Sequence, residues 1–311
     1  MRVTILGGTG FIGTHVTQAI RTAGAEAASI ARGARSGAPT FEADRTNVPE
    51  LTRALAAAAP AVVVDMIAYQ QRDIEQLLSA LPATVRRVVV ISSGDVYAAY
   101  GRFLGHPTDD ADLAESDESS PVRQVLFPYR THATNAADIG YAYEKILVER
   151  AATAWRGGHT TILRLPMVYG PADPQRRVAG AVERLEAANG TLRLNPVEAA
   201  WRTTRGYVED VAAAIALATV SPAASGQTLN VGEPDALSEL EWLHAVGAAA
   251  TWPGTIMTDP RAAPSRSANW TTSLAVRTRR IRDTLGYVEP IGRLEGLRRT
   301  VAALASGERH N

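Results

Sequence analysis

Short apolar runs alternate with helical stretches through the first half of the chain, the pattern of βαβ units feeding a parallel sheet. Residues 2–6 read as a buried strand, and 11–23 carry helical spacing that stops at Gly24. A second short run follows at 27–31 and a weaker third at 40–43, and an alanine-rich helix over 48–58 is ended by Pro60. The runs AVVVDM (61–66) and RVVVI (87–91) are continuous and β-branched, as strands covered on both faces should be. A helix is expected over 141–155, a strand over 160–165, a helix over 209–219 and a strand over 227–231. Beyond Gly232 the pattern turns helical at 238–250, 277–285 and 292–303, with a short strand at 255–258.

Between Tyr97 and about Asn135 the periodicity lapses. That stretch holds Gly101, Gly105, Pro107, Pro121 and Pro128 around an acidic run, and it reads as a long surface excursion of the kind that serves function. The fold expected is α/β: a doubly wound parallel Rossmann sheet with a smaller C-terminal α/β substrate lobe. Residues 1–170, completed by about 206–232, would form the dinucleotide-binding domain. Residues 171–205 and 233–311 would form the substrate-binding lobe.

Composition narrows the possibilities. The 311 residues are 46% apolar and 21% charged, with 32 basic and 32 acidic side chains. Zero net charge offers no electrostatic footprint for nucleic acid. Absence of cysteine excludes disulfides, thiolate nucleophiles and iron–sulfur clusters. The six histidines show no metal-site spacing, so no metal is expected. No apolar run approaches the roughly 20 residues of a membrane span. The N-terminal strand is interrupted by glycine too soon for a signal peptide, and a cytoplasmic location is expected. Of the 32 basic residues, 31 are arginine, and the single lysine is Lys145.

Gly7-Gly8-Thr9-Gly10-Phe11-Ile12-Gly13 follows the first strand and opens a helix. Glycines there permit a tight turn, close backbone approach to a pyrophosphate and close helix–strand packing, while the helix N-terminus presents free N–H groups to the phosphates. Gly7, Thr9, Gly10, Phe11, Ile12 and Gly13 are therefore candidate cofactor-binding positions. The end of the second strand offers no carboxylate to a ribose; Arg32, with Arg35 as a second clamp, favours the 2′-phosphate of NADP(H), NAD remaining open. Asp44, at the end of the third strand, is placed to reach an adenine amino group or to begin a turn.

Tyr141 and Lys145 stand four residues apart, which puts them on one face of a helix. An ammonium beside a phenol stabilises the phenolate and suits it to proton transfer. Arginine could not supply the same compact charge. Ser93 closes the strand RVVVI and could hydrogen-bond a reacting oxygen beside Tyr141 or cap a helix.

GGTGFIG, SSGDVY, YAYEK, RLPMVYGP, YVEDV and LNVG occur in order along nearly the whole chain. Together they resemble the extended short-chain dehydrogenase/reductase superfamily, in its NAD-dependent epimerase/dehydratase branch. The resemblance implies that Tyr141 is the acid/base, that Lys145 binds the nicotinamide ribose and tunes Tyr141, and that Ser93 positions substrate. It also implies that Ala68 and Pro166 line the cofactor and that the protein is a homodimer. Three departures stand out. Met167 occupies the usual place of an asparagine; Arg202 and Arg205 lie slightly out of register for a diphosphate; Asp95 replaces a glutamate that dehydratase members carry. Asp95 thus reads either as a base or as a local turn carboxylate. The resemblance implies an NAD(P)-dependent oxidoreductase acting on a small molecule, with a sugar-nucleotide epimerase/dehydratase foremost. Two alternatives stand beside it: an NADPH-dependent ketone or aldehyde reductase of secondary metabolism, and a non-catalytic nucleotide-sensing or RNA-binding relative.

Overall fold

The computed structural model describes residues 1–33, 40–109, 111–112 and 114–307. Seven parallel strands form the central sheet: β1 (Arg2–Leu6), β2 (Glu26–Ala31), β3 (Phe41–Glu42), β4 (Val62–Asp65), β5 (Arg87–Ser93), β6 (His159–Leu165) and β7 (Thr228–Asn230). Their order is β7-β6-β5-β4-β1-β2-β3, so the order reverses at β1, between β2 and β4. Ligands of open α/β sheets bind at such a reversal, beyond the carboxyl ends of the strands.

The β-branched runs act as expected. Val62 and Val64 pack on one face of β4 and Val63 on the other; in β5, Val89 and Ile91 oppose Val88 and Val90. One face is covered by α2 (Val48–Ala58), α3 (Gln71–Ala80) and α4 (Lys145–Ala154), through Leu51, Leu55, Ile74, Leu77, Val148 and Ala152. The opposite face receives α1 (Phe11–Thr22) and α5 (Val208–Val220), through Val16, Ile20, Val211 and Ile215. That second core runs without a break into the C-terminal part, where Leu185, Trp242, Leu243 and Leu297 belong to the same cluster. Strand Thr255–Thr258 pairs in parallel with Thr191–Leu194 there. Among the described residues no helix is long and apolar enough to cross a membrane.

Two expectations need correction. First, the stretch after Tyr97 is only partly a surface excursion. It holds the helix Ala98–Phe103, and Phe103, Asp109 and Arg123 are buried. Phe103 stacks on Trp201 at 5.2 Å and meets Trp270 edge-on at 5.5 Å, a small aromatic core that stitches the stretch to the C-terminal part. Second, residues 141–155 are not one helix. A short helix, Ile139–Ala142, ends before Tyr143, and α4 begins at Lys145. Glu144 causes the break: it adopts an extended backbone (φ −158°, ψ 96°), and its carboxylate caps α4 by accepting from Ile146 N–H at 2.9 Å. The carboxylate also accepts from Phe127 N–H at 2.6 Å and pairs with Arg123 at 3.1 Å.

Candidate active site

The glycine turn has the shape its sequence implies. Gly7 has φ +83°, and a Cβ there would lie 2.6 Å from Ile67 Cγ2. At Gly13 a Cβ would sit 2.1 Å from the Gly7 carbonyl oxygen, so only glycine lets α1 seat on the turn. Gly10 is the N-cap of α1, no side chain caps that end, and its first turn carries no acid. The leading N–H groups and the positive end of the helix dipole are thus left for an anion. The turn has the room and the free donors that a pyrophosphate would require, and Gly7, Thr9, Gly10, Phe11, Ile12 and Gly13 are the residues that would hold it.

Arg32 is exposed directly after β2, in Coulombic reach of Asp44. Asp44 Oδ1 accepts from the N–H and the hydroxyl of Thr46, both at 2.8 Å, so it organises the turn into α2. These hydrogen bonds hold its carboxyl below the usual range. Arg35 lies outside the described residues.

A cavity of about 750 Å³ opens at the carboxyl ends of β5 and β6. Ser93, Asp95, Tyr129, Tyr143 and Pro166 line it, with Met167 beside them. Ser93 Oγ accepts from Asp95 N–H at 3.3 Å, capping the 3-10 turn Gly94–Val96, and also meets the Tyr143 phenol. Capping serine and cavity serine are therefore the same residue.

Lys145 is fully buried, where Ala68 O (2.8 Å) and Ile91 O (2.7 Å) accept from its Nζ. Two of its three donors are spent on backbone, which leaves one for a ligand hydroxyl. Burial lowers its pKa to about 8, against the opposing pull of Asp65 and Asp95. The rings of Tyr69 and Tyr143 lie 5.0 and 5.9 Å from the ammonium.

Because the helix breaks at Glu144, Tyr141 and Lys145 do not share a helical face. Tyr141 is 40% exposed and does not line the cavity. Its ring lies 4.9 Å from the Arg130 guanidinium, and its carbonyl accepts from Arg130 Nε at 2.9 Å. Tyr143, within the same five-residue motif, turns inward instead. Its hydroxyl donates to Asp95 Oδ2 at 3.0 Å, and Tyr129 donates to the same oxygen at 2.8 Å. Burial, followed by the neighbouring Asp95 charge, raises the Tyr143 phenol well above its ordinary value, while the Ser93 hydrogen bond lowers it. Asp95 is raised as well, by burial, although Arg123, both phenols and Lys145 oppose that shift.

The arginines are sorted by their partners. Arg205 is buried, bonded to Glu239 at 2.8 Å and stacked 4.3 Å over Trp242. Arg202 donates to Ala236 O and to Glu241. Neither lines the cavity. Arg177 does, but it is committed to Val168 O and Asp173. Arg266 lies over Phe103 (5.0 Å) and Trp270 (5.4 Å) at the cavity edge, and among the described residues no carboxylate pairs with it. Tyr143, Tyr129, Arg123 and Arg266 were not singled out by spacing. Only Tyr143 carried a signal, its place two residues before the sole lysine.

The comparisons agree with this architecture. The UDP-glucose 4-epimerase of Thermus thermophilus, solved in complex with NAD, is similar at 25% identity and a TM-score of 0.69, covering 98% of this chain and 99% of that one. A short-chain dehydrogenase/reductase superfamily protein from Agrobacterium tumefaciens with bound NAD matches at 19% identity and 0.69, over 98% of this chain and 97% of that one. The UDP-glucose 4-epimerase of Thermotoga maritima with UDP-glucose matches at 17% identity and 0.71, over 99% of both chains. No curated protein matches the chain in sequence. The model of the NAD dependent epimerase/dehydratase family matches residues 3–232, about three quarters of the length, and the chain belongs to that family of NAD-dependent enzymes.

Proposed function

We propose that the protein is a sugar-nucleotide epimerase in which Tyr143, rather than Tyr141, is the acid/base. The observation that carries this reading is that Tyr143 and Ser93 line one cavity at the carboxyl edge of the sheet that also holds the glycine cradle, with the buried Lys145 ammonium 5.9 Å from the Tyr143 ring. When bound, the dinucleotide supplies the hydride acceptor and donor. The chain's own residues do the rest. Ser93 holds the substrate oxygen by hydrogen bond, Tyr143 takes and returns its proton, and Lys145 favours the phenolate by its charge while its free donor reaches the nicotinamide ribose. Ala68 and Pro166 line the cofactor side. Arg266 is the cation left to meet a substrate phosphate, since Arg202 and Arg205 are both held by carboxylates.

NAD is the proposed cofactor, in keeping with the family and with the NAD bound to the Thermus and Agrobacterium relatives. Arg32 is the group that would admit the 2′-phosphate of NADP(H). A carbonyl reductase is the second reading, favoured by that exposed arginine together with the loss of Arg202 and Arg205 from the cavity.

One preparation tests both. The protein is denatured and the released nucleotide identified, and NAD-loaded protein is offered UDP-glucose. Tightly held NAD and formation of the C4 epimer with no net absorbance change at the reduced-nicotinamide band are expected. An empty site filled selectively by NADPH, with stoichiometric oxidation by a ketone, would overturn the epimerase reading.

The buried lysine adds a pH signature. With its pKa lowered to about 8 by burial, Lys145 is charged below that pH and neutral above it. Support for the phenolate is therefore present at low pH and lost as pH rises. The kcat/KM profile, which reports free-enzyme ionisations, should fall above pH about 8. A profile still rising at pH 9.5, roughly one to two units beyond that midpoint, would contradict the role.

A further inference from the structure

Tyr143 and Tyr129 aim their hydroxyls at a single oxygen, Asp95 Oδ2, at 3.0 and 2.8 Å. Tyr100 extends the chain, its hydroxyl hydrogen-bonded to that of Tyr129, and the four groups all border the same cavity. Asp95 is buried, and its other oxygen, Oδ1, is buried with no hydrogen-bond partner among the described residues. A carboxylate needing only charge stabilisation would have both oxygens satisfied or a cation in contact. Asp95 has neither. The Arg123 guanidinium, the cation of the excursion nearest to it, donates to the Asp95 backbone carbonyl and pairs its remaining face with Glu144. Lys145 directs two of its three donors to Ala68 O and Ile91 O, and none of its hydrogen bonds reaches Asp95.

Building on the assignment of Tyr143 as acid/base, we infer that Asp95 is its proton store, holding on Oδ2 the proton displaced from Tyr143 for as long as the oxidised intermediate exists. In the forward step the carbinol O–H proton passes to Tyr143 Oη as the Tyr143 proton passes to Asp95 Oδ2. The C–H hydrogen leaves with its electron pair to the bound oxidised dinucleotide, and the carbinol becomes a ketone. The reverse step returns both. An epimerisation cycle then closes inside the cavity with no proton borrowed from solvent. Asp95 acts through Tyr143 and need not touch substrate.

Every group facing Asp95 sets its poise. Burial raises its pKa, which favours accepting the proton. Arg123, the Tyr129 and Tyr143 hydrogen bonds and Lys145 lower it, which allows the proton to be given back. Tyr129 donates more strongly to the ionised form than to the neutral acid, so its hydroxyl is the group whose removal shifts this balance with least change of shape.

An infrared difference titration of the NAD-loaded protein tests the inference without any substrate. A carbonyl stretch from a protonated buried carboxyl should titrate above the ordinary aspartate range and vanish in Asp95→Asn. In Tyr129→Phe its midpoint should move to higher pH by about one to two units, the worth of one hydrogen bond to a charged group. A wild-type protein with no such band, a band that survives Asp95→Asn, or a midpoint unmoved by Tyr129→Phe would overturn the proton store. Inability to turn over UDP-glucose would instead count against the epimerase reading and leave this titration untouched.

Discussion

Tyr143→Phe is expected to abolish all but a trace of turnover, whereas Tyr141→Phe should leave it within a few-fold of the parent. The contrast follows from where the backbone sends the two rings. Tyr143 delivers its hydroxyl into the cavity, against Ser93 and Asp95 and on the Lys145 side of the site. Tyr141 stacks on Arg130 at the surface with 40% of its area in solvent. A positioned acid/base contributes about 10²–10⁴ in rate, and the loss in Tyr143→Phe should fall in that interval. Because phenylalanine keeps the ring, nucleotide binding should change little in either variant, and Tyr143→Phe should lose no more stability than the about 1.5–3 kcal/mol of one hydrogen bond to a charged group. Steady-state kinetics of both variants on UDP-glucose, or on whichever carbonyl substrate the parent accepts, provide the measurement. If Tyr141→Phe were the crippled variant, the break before Lys145 would have to close in the working enzyme and the acid/base role would pass to Tyr141.

This contrast also shows what the chain discloses to a reader and what it conceals. The sheet was legible because its strands are encoded locally: VVVD and RVVVISS bury both faces wherever they are placed, and the residues supporting them alternate with period two. The glycine turn was legible for a similar reason, since the requirements at Gly7 and Gly13 come from backbone within a few residues and from the next strand end. The Tyr–Lys spacing was misleading because helix continuity at Glu144 is decided elsewhere. Glutamate is an ordinary helix residue, and nothing between 141 and 145 announces a break. Its carboxylate becomes a cap only because Arg123 and Phe127 N–H converge on it from a stretch whose turns carry no periodicity. Arg266 was hidden in the same way. Its aromatic seat is assembled from Phe103 and Trp270, which lie far apart in the chain.

The same buried pair should dominate the stability of the site. Arg123 and Glu144 have no exposed side-chain area, and each makes several bonds. Arg123 donates to Glu144, to Val125 O at 2.7 Å and to the Asp95 carbonyl; Glu144 accepts from Phe127 and Ile146 N–H. Arg123→Met fills most of the volume but leaves Glu144 as a buried carboxylate without its cation. Such an uncompensated charge costs about 3–5 kcal/mol, and equilibrium unfolding in denaturant at neutral pH should show a loss of that size. Glu144→Gln added to Arg123→Met removes the stranded charge while keeping an acceptor for one of the two N–H groups. The double variant should therefore recover part of the loss, and the non-additivity of the cycle reports the pair directly. The geometry makes a second demand, since relaxing Glu144 frees the segment that aims Tyr143 and turnover should fall further than the folded population. A single-variant loss below about 1 kcal/mol would place this pair with solvent-exposed bridges, and the cause of the helix break would then have to be sought in the Asp138 cap and the Tyr69 carbonyl that receives Glu144 N–H.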